Sequence, residues 1–143
     1  MIVRDILAAK GREVATISPT ASVAEAARIL TERRIGALVV TGAGNRVVGI
    51  VSERDIVRIL AARGAAALGL SLTEVMTRKV VSCVESDMIS AIMERMTAGK
   101  FRHVPVLDGD RLAGIISIGD AVKLRLQEME TEQSALRDYI QTA

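Results

Sequence analysis

The hydrophobic positions of this chain repeat. Val14-Ala15-Thr16-Ile17-Ser18 returns 66 residues later as Val80-Val81-Ser82-Cys83-Val84. At the same offset of 66, the set Val23, Ala26, Ala27, Leu30, Ile35 returns as Ile89, Ile92, Met93, Met96, Phe101. Both sets step by 3, 1, 3 and 5, so one helical face is being duplicated. Further on, Gly49-Ile50-Val51-Ser52-x-x-Asp55 matches Gly114-Ile115-Ile116-Ser117-x-x-Asp120 at an offset of 65. One residue is lost between Thr41–Arg46 and Leu107–Arg111, where a hairpin tolerates deletion.

Each copy reads as strand, helix, strand, hairpin, strand, helix. In the first, Glu13–Ile17 is a strand, and Ser22 with Glu25 opens a helix through a capping box. Gly36–Val40 and Val47–Val51 are β-rich runs around the turn Gly42-Ala43-Gly44-Asn45. A helix follows from Glu53 to Arg63, and Gly64 stops it. In the second copy, Ser71-x-x-Glu74 starts a short helix through Met76, and Val80–Cys83 is a strand. A helix covers Asp87–Ala98 with Gly99 at its end, and Val104–Leu107 and Leu112–Ser117 flank Asp108-Gly109-Asp110. Asp120–Thr142 reads as one long helix. The expected units are 1–64, a linker at 65–70, a second repeat at 71–126 and a helical extension at 127–143.

A three-stranded sheet with helices on one face leaves apolar strand surface bare. Two copies cover it by packing sheet on sheet about a pseudo-two-fold axis, whereas two independent domains of about 65 residues would be marginal. The expected class is therefore α/β (α+β), two small mixed sheets plus a C-terminal helix.

Composition narrows the function. Half of the 143 residues are hydrophobic and a quarter charged, which excludes disorder. Phe101 and Tyr139 are the only aromatics, too few for a base-stacking nucleic-acid module. The net charge of +2 gives no phosphate-tracking surface. Lys10, Arg12, Arg33, Arg34 and the Arg78-Lys79 pair keep nucleic-acid binding as an alternative, and a ligand-free interaction scaffold is another. A single cysteine and a single histidine leave no disulfide within the chain and no two-histidine metal site. No Walker loop, GxGxxG motif or Ser-His-Asp set is present, so no enzyme is expected. No signal peptide is visible and no apolar run is long enough to cross a bilayer, so a cytoplasmic location is expected.

The candidate chemistry lies at the two strand-to-helix junctions. Asp55 and Asp120 can each accept both hydrogen bonds of a ribose diol. Ser52, Ser117 and the helix N-terminal N–H groups can take a phosphate. The same Ser-x-x-Asp spacing also makes a helix capping box. Arg54 offers a planar fork for phosphate, or stands as a solvated first-turn residue. Its counterpart is Gly119, so the two junctions are inequivalent.

Gly49–Asp55, its copy Gly114–Asp120, and the strand His103-Val104-Pro105-Val106 together resemble tandem CBS domains, the Bateman module, over Val3–Leu126. The nearest likeness is to stand-alone bacterial two-CBS proteins. The resemblance implies a regulatory module that binds AMP, ADP, ATP or NAD(H), in some members S-adenosylmethionine, in the cleft between repeats. It places Arg102 and His103 at the phosphate. It puts Thr16, Ile17, Ser18, Ser82 and Cys83 around the adenine, with Val51 and Ile116 completing the walls and Ala37 and Pro105 on the same cleft. A phosphate on His103 implies binding that strengthens as pH falls through the imidazole pKa. The ligand would select one arrangement of the repeats and so signal to a regulated protein.

In the tail, Val122, Leu126, Met129, Gln133, Leu136 and Ile140 step by 4, 3, 4, 3 and 4, a heptad seam broken by one polar residue. At under three heptads it points to packing against the partner subunit of a homodimer rather than to an independent coiled coil. A helix folded back on its own module is the other reading.

Overall fold

The computed structural model describes residues 1–142; the last residue of the expected extension, Ala143, lies outside them. Residues 3–10, to which the pattern assigns no element, form helix α1 (Val3–Lys10). Asp5 Oδ2 accepts the Ile2 N–H at 2.9 Å at its start, and Gly11, at φ 95°, ends it. The first repeat follows as β1 (Thr16–Ile17), α2 (Val23–Arg33), β2 (Ala37–Thr41), β3 (Val47–Ser52) and α3 (Glu53–Arg63). The second is α4 (Ile89–Gly99), β4 (His103–Asp108), β5 (Arg111–Ser117) and α5 (Ile118–Thr142). The expected linker is a 3-10 turn, Gly64–Gly69, with Ala67 buried, and Leu72–Glu74 is another. The linker is thus docked on the first repeat, where Leu70 O accepts Val23 N–H at 3.0 Å.

The first sheet has the order β1-β2-β3, parallel then antiparallel. The second contains only the antiparallel pair β4-β5. The strand expected at Val80–Cys83 contributes a single parallel bridge, Cys83 to Val106. The reason is one residue. In the first repeat Val39 N–H donates to Ala15 O, and Thr16 pairs with Val39. The equivalent of Val39 is Pro105, which has no N–H to give. The ladder stops there, and Val80–Ser82 is left free of the sheet.

Helix ends also differ slightly from expectation. Gly99 is the last residue of α4, and Lys100, at φ 58°, is its left-handed cap, as Arg34 is for α2. Glycine is needed at 99 because a Cβ there would collide with the Phe101 ring.

Two apolar cores result. Ile17, Val23, Leu30, Leu38, Val40, Val51 and Ile56 build the first. Cys83, Ile89, Ile92, Met96, Val104, Val106 and Ile116 build the second. Ala37 and Val39, on the opposite face of β2, are buried too, as stacked layers require. The hairpins meet through Asn45 Nδ2, which donates to Leu112 O at 3.3 Å, and an Arg46–Asp110 ion pair at 3.6 Å.

The segments leading into the repeats are exchanged. Val3-x-Asp5-Ile6-Leu7 parallels Leu72-x-Glu74-Val75-Met76. Yet Val3, Ile6 and Leu7 belong to the second core and Leu72 to the first. The signature glycines make room for this. A Cβ on Gly114 would lie 2.7 Å from Leu7 Cδ2, and one on Gly49 would lie 2.6 Å from Met76 Sδ.

Candidate functional site

A cleft of about 860 Å³ opens between the repeats, a size suited to a nucleotide-sized ligand. One wall is the start of β2 with Gly36 and Ala37, and the β3–α3 junction from Ser52 to Arg58. The other is Val80 and Val81, left free by the truncated ladder, with Thr77 and Lys79 just before them, and the α4–β4 corner from Gly99 to His103.

At the first junction Ser52 and Asp55 form a complete capping box. Asp55 Oδ2 accepts Ser52 N–H at 2.9 Å, and Ser52 Oγ accepts Asp55 N–H at 3.3 Å. The capping role and the cleft position coexist, because Asp55 both holds the α3 N-terminus and lines the cavity. Its Oδ1 accepts from Thr77 Oγ1 at 3.5 Å and faces Arg58 at 3.8 Å. Arg54 Nη1 donates to Lys100 O at 2.7 Å, a link from one repeat to the other.

Five cationic side chains line this cleft: Arg54, Arg58, Lys79, Lys100 and Arg102. Only Glu53 and Asp55 oppose them. Three of the five, Arg58, Lys79 and Lys100, were outside the sequence-based set. Their signal was weak, because a basic residue on a helix turn or loop looks like a solvated one until the second repeat faces it. The His103 ring lies against Gly36, where a Cβ would approach its Cε1 to 3.0 Å. Burial pushes the His103 pKa down from 6.5, although Glu53 and Asp120 pull the other way.

The second junction is built alike and used differently. Asp120 Oδ2 accepts Ser117 N–H at 2.9 Å, and Ser117 Oγ accepts Asp120 N–H at 3.1 Å. Lys10, at the end of α1, then donates to Asp120 Oδ2 at 2.7 Å and to Ile115 O at 2.8 Å. Burial acts to raise the Asp120 pKa, but the hydrogen bonds from Lys10 and Ser117 outweigh it and hold the carboxyl below its usual range. At the first junction the equivalent carbonyl, Ile50 O, is taken by Thr77 N–H at 2.9 Å. The lysine equivalent to Lys10 is Lys79, exposed on the cleft.

Of the expected site residues, Ala37, Ser52, Arg54, Asp55, Arg102 and His103 come together on the cleft. Ile17 and Val51 lie in the first core, and Cys83 and Ile116 in the second, rather than on the cleft wall. Pro105 is buried, its carbonyl accepting Cys83 N–H at 3.0 Å. Burial, assisted by Asp87, raises the Cys83 thiol pKa to about 12, so it packs as an inert apolar group. Thr16 and Ser18 are exposed at the end of β1, where Ser18 Oγ meets Thr20 Oγ1 at 2.9 Å. Ser82 is half-buried beside Arg95. Ser117 and Asp120 stand apart at the second junction. Among the described residues no three His, Cys, Asp or Glu side chains converge on a metal-sized space, and no helix is long and apolar enough to cross a membrane.

Two duplicated units that share a cleft, with an acidic residue and basic side chains at a strand-to-helix turn, define a paired-repeat module. The CBS domain family model matches residues 3–62 and 72–127, and the chain belongs to the CBS-domain family. It is 50% identical to a CBS-domain containing protein of Agrobacterium tumefaciens, with a TM-score of 0.85, covering 87% of this chain and 99% of that one. The CBS domain pair of protein MJ0100, solved in complex with 5′-methylthioadenosine and S-adenosyl-L-methionine, is 27% identical with a TM-score of 0.76, covering 90% and 98%. CBSX3, a mitochondrial CBS domain-containing protein of Arabidopsis thaliana, is 31% identical over 124 residues, covering 84% of this chain; the chain spans 60% of that protein's length.

Proposed function

We propose that this CBS pair is a non-catalytic sensor that binds one phosphate-bearing adenine nucleotide (AMP, ADP, ATP or NAD(H)) in the cleft between its repeats. The carrying observation is the cleft's charge: five cations against two carboxylates, with Asp55 set where a ribose diol can bind. Asp55 takes the diol, Arg54, Lys79 and Arg102 face the phosphates, and Ala37, Val80 and Val81 offer apolar surface to the base. The MJ0100 pair supports the adenosine half of the ligand. The charge supports the phosphate half, since S-adenosylmethionine is itself cationic and methylthioadenosine carries no anion.

The cleft takes one wall from each repeat, so a bound nucleotide favours one setting of the two. The signal can be no larger than the difference in affinity between settings. A phosphate drawing Arg54 off Lys100 O is one route to that difference. A regulated protein would read the new setting in a cytoplasmic homodimer.

The test is a thermal-shift series with AMP, ADP, ATP, NADH, S-adenosylmethionine and methylthioadenosine. Phosphorylated ligands are expected to stabilise the protein by about 2.7 kcal/mol at a hundredfold excess over Kd. Asp55→Ala is expected to cut that stabilisation by about half or more at the same ligand concentration. A melting profile unmoved by every one of these compounds refutes the sensor reading, and a response to S-adenosylmethionine alone refutes the phosphate assignment.

A further inference from the structure

Helix α5 is 25 residues long, about 37 Å. Its first turns are held by the second core: Ala121 is buried, Leu124 packs against the same cluster, and Glu128 sits 3.8 Å from the chain's N-terminus. From Met129 to Thr142 every residue is exposed. A helix of that length standing alone in water is marginal. Its apolar side chains are also out of place there, with Leu136 59% and Ile140 66% exposed. Val122, Leu126, Met129, Leu136 and Ile140 share one face, roughly 130° around the helix from the core-facing side. That face is a heptad seam, and Gln133 is its one polar position.

The flanking charges say what covers it. With Leu126, Gln133 and Ile140 at a, and Val122, Met129 and Leu136 at d, the g positions hold Arg125, Glu132 and Tyr139 and the e positions hold Lys123, Glu130 and Arg137. In a parallel pair, g of one helix faces the e that is five residues on in the other. That sets Arg125 against Glu130 and Glu132 against Arg137, opposite signs throughout. An antiparallel pair in full overlap sets Glu130 on Glu130, Glu132 on Glu132 and Lys123 on Arg137, like signs wherever both partners are charged, and leaves Arg125 on the neutral Tyr139.

We propose that α5 is a homodimerisation element: two copies of the chain pair their α5 seams as a parallel, in-register two-helix coil. The anchored first turns supply the nucleation that fewer than three free heptads lack. Gln133 facing its own copy fixes the register, as a lone polar a residue does. This takes up the self-association read above and specifies its surface and direction. It does not depend on the nucleotide.

The experiment uses the full chain in sedimentation velocity, with nucleotide-induced stabilisation recorded on the same samples so that the two readings fail separately. Leu136→Asp is expected to raise the dimer Kd about tenfold or more while leaving the melting of the CBS body intact. Arg137→Glu weakens the dimer about three- to tenfold, and adding Glu132→Arg restores it. Oxidation joins two copies through Ile140→Cys alone, since Cys83 is buried and does not compete. Dimer strength unchanged by Leu136→Asp overturns the proposal. So does a charge exchange that fails to restore association, or a cross-link that forms only when Val122→Cys is combined with Ile140→Cys.

Discussion

The two strand-to-helix junctions carry the same Ser-x-x-Asp motif and the same capping hydrogen bonds, yet Ser52 and Asp55 line the cleft between the repeats and Ser117 and Asp120 do not. At Ser117–Asp120 the ammonium of Lys10 occupies the carboxylate and a neighbouring carbonyl. The cause is length. Three more residues separate Leu7 from Val14 than separate Met76 from Val80. The longer lead winds on as helix through Lys10, whereas Thr77–Lys79 runs as a bent loop. A duplicated motif thus becomes a binding edge in one repeat and a structural clasp in the other, decided by the segment that arrives opposite it.

The largest expected effects test the exchange of leading segments that creates this difference. Leu7→Ala empties a site 1% exposed in the second core and is expected to cost about 3 kcal/mol in urea unfolding. Met76→Ala, at the equivalent but half-buried position, is expected to cost less than about 2 kcal/mol. Equal losses would mean that the two leads anchor alike.

Next, Asp55→Ala is expected to lower nucleotide affinity about tenfold or more, the loss of charge-assisted hydrogen bonds to the ribose. Asp120→Ala leaves it within about twofold. Titration calorimetry that found the two variants equally impaired would erase the distinction between junctions.

Lys10→Ala sharpens the same point. The pair is part-exposed, so its loss is expected to cost only about 1 kcal/mol. It also frees Asp120, and calorimetry is expected to register a second nucleotide equivalent. In acid, the depressed Asp120 pKa contributes stability that is present above 3.8 and lost as pH falls through the lower folded value. Melting curves of Lys10→Ala are expected to lack the part of that contribution that Lys10 supplies, while the Ser117 hydrogen bonds keep the rest.

The smallest effect concerns His103. Its folded pKa lies below 6.5, so the unfolded chain takes the proton first and apo stability falls as pH drops from 6.5 through the folded value. His103→Gln flattens that slope. If phosphate sits beside the ring, nucleotide affinity rises over the same pH range, and an unchanged Kd there would remove His103 from the phosphate site.

Much of this was legible without coordinates. The duplication, the helix faces, the hairpins and the break in symmetry at Arg54 and Gly119 all follow from local spacing, because backbone geometry turns periodicity into faces. Val80–Cys83 shows the limit. Its β-rich composition predicts a strand, and the missing donor of Pro105, over twenty residues away, removes most of the pairing. Val51 and Ile116 show another, since alternation tells which strand residues share a face but not which face is the core.

Spacing along the chain supplies the inventory: two equivalent junctions, each able to cap a helix or hold a sugar, and a tail with a seam. Packing between the repeats assigned each its fate. It set Lys10 on one aspartate, spread basic groups around the other, and carried each leading segment across to the opposite repeat. Those outcomes depend on close approach between segments from about twenty to more than a hundred residues apart, and contacts of a few ångströms between such segments leave no period in the chain to be read.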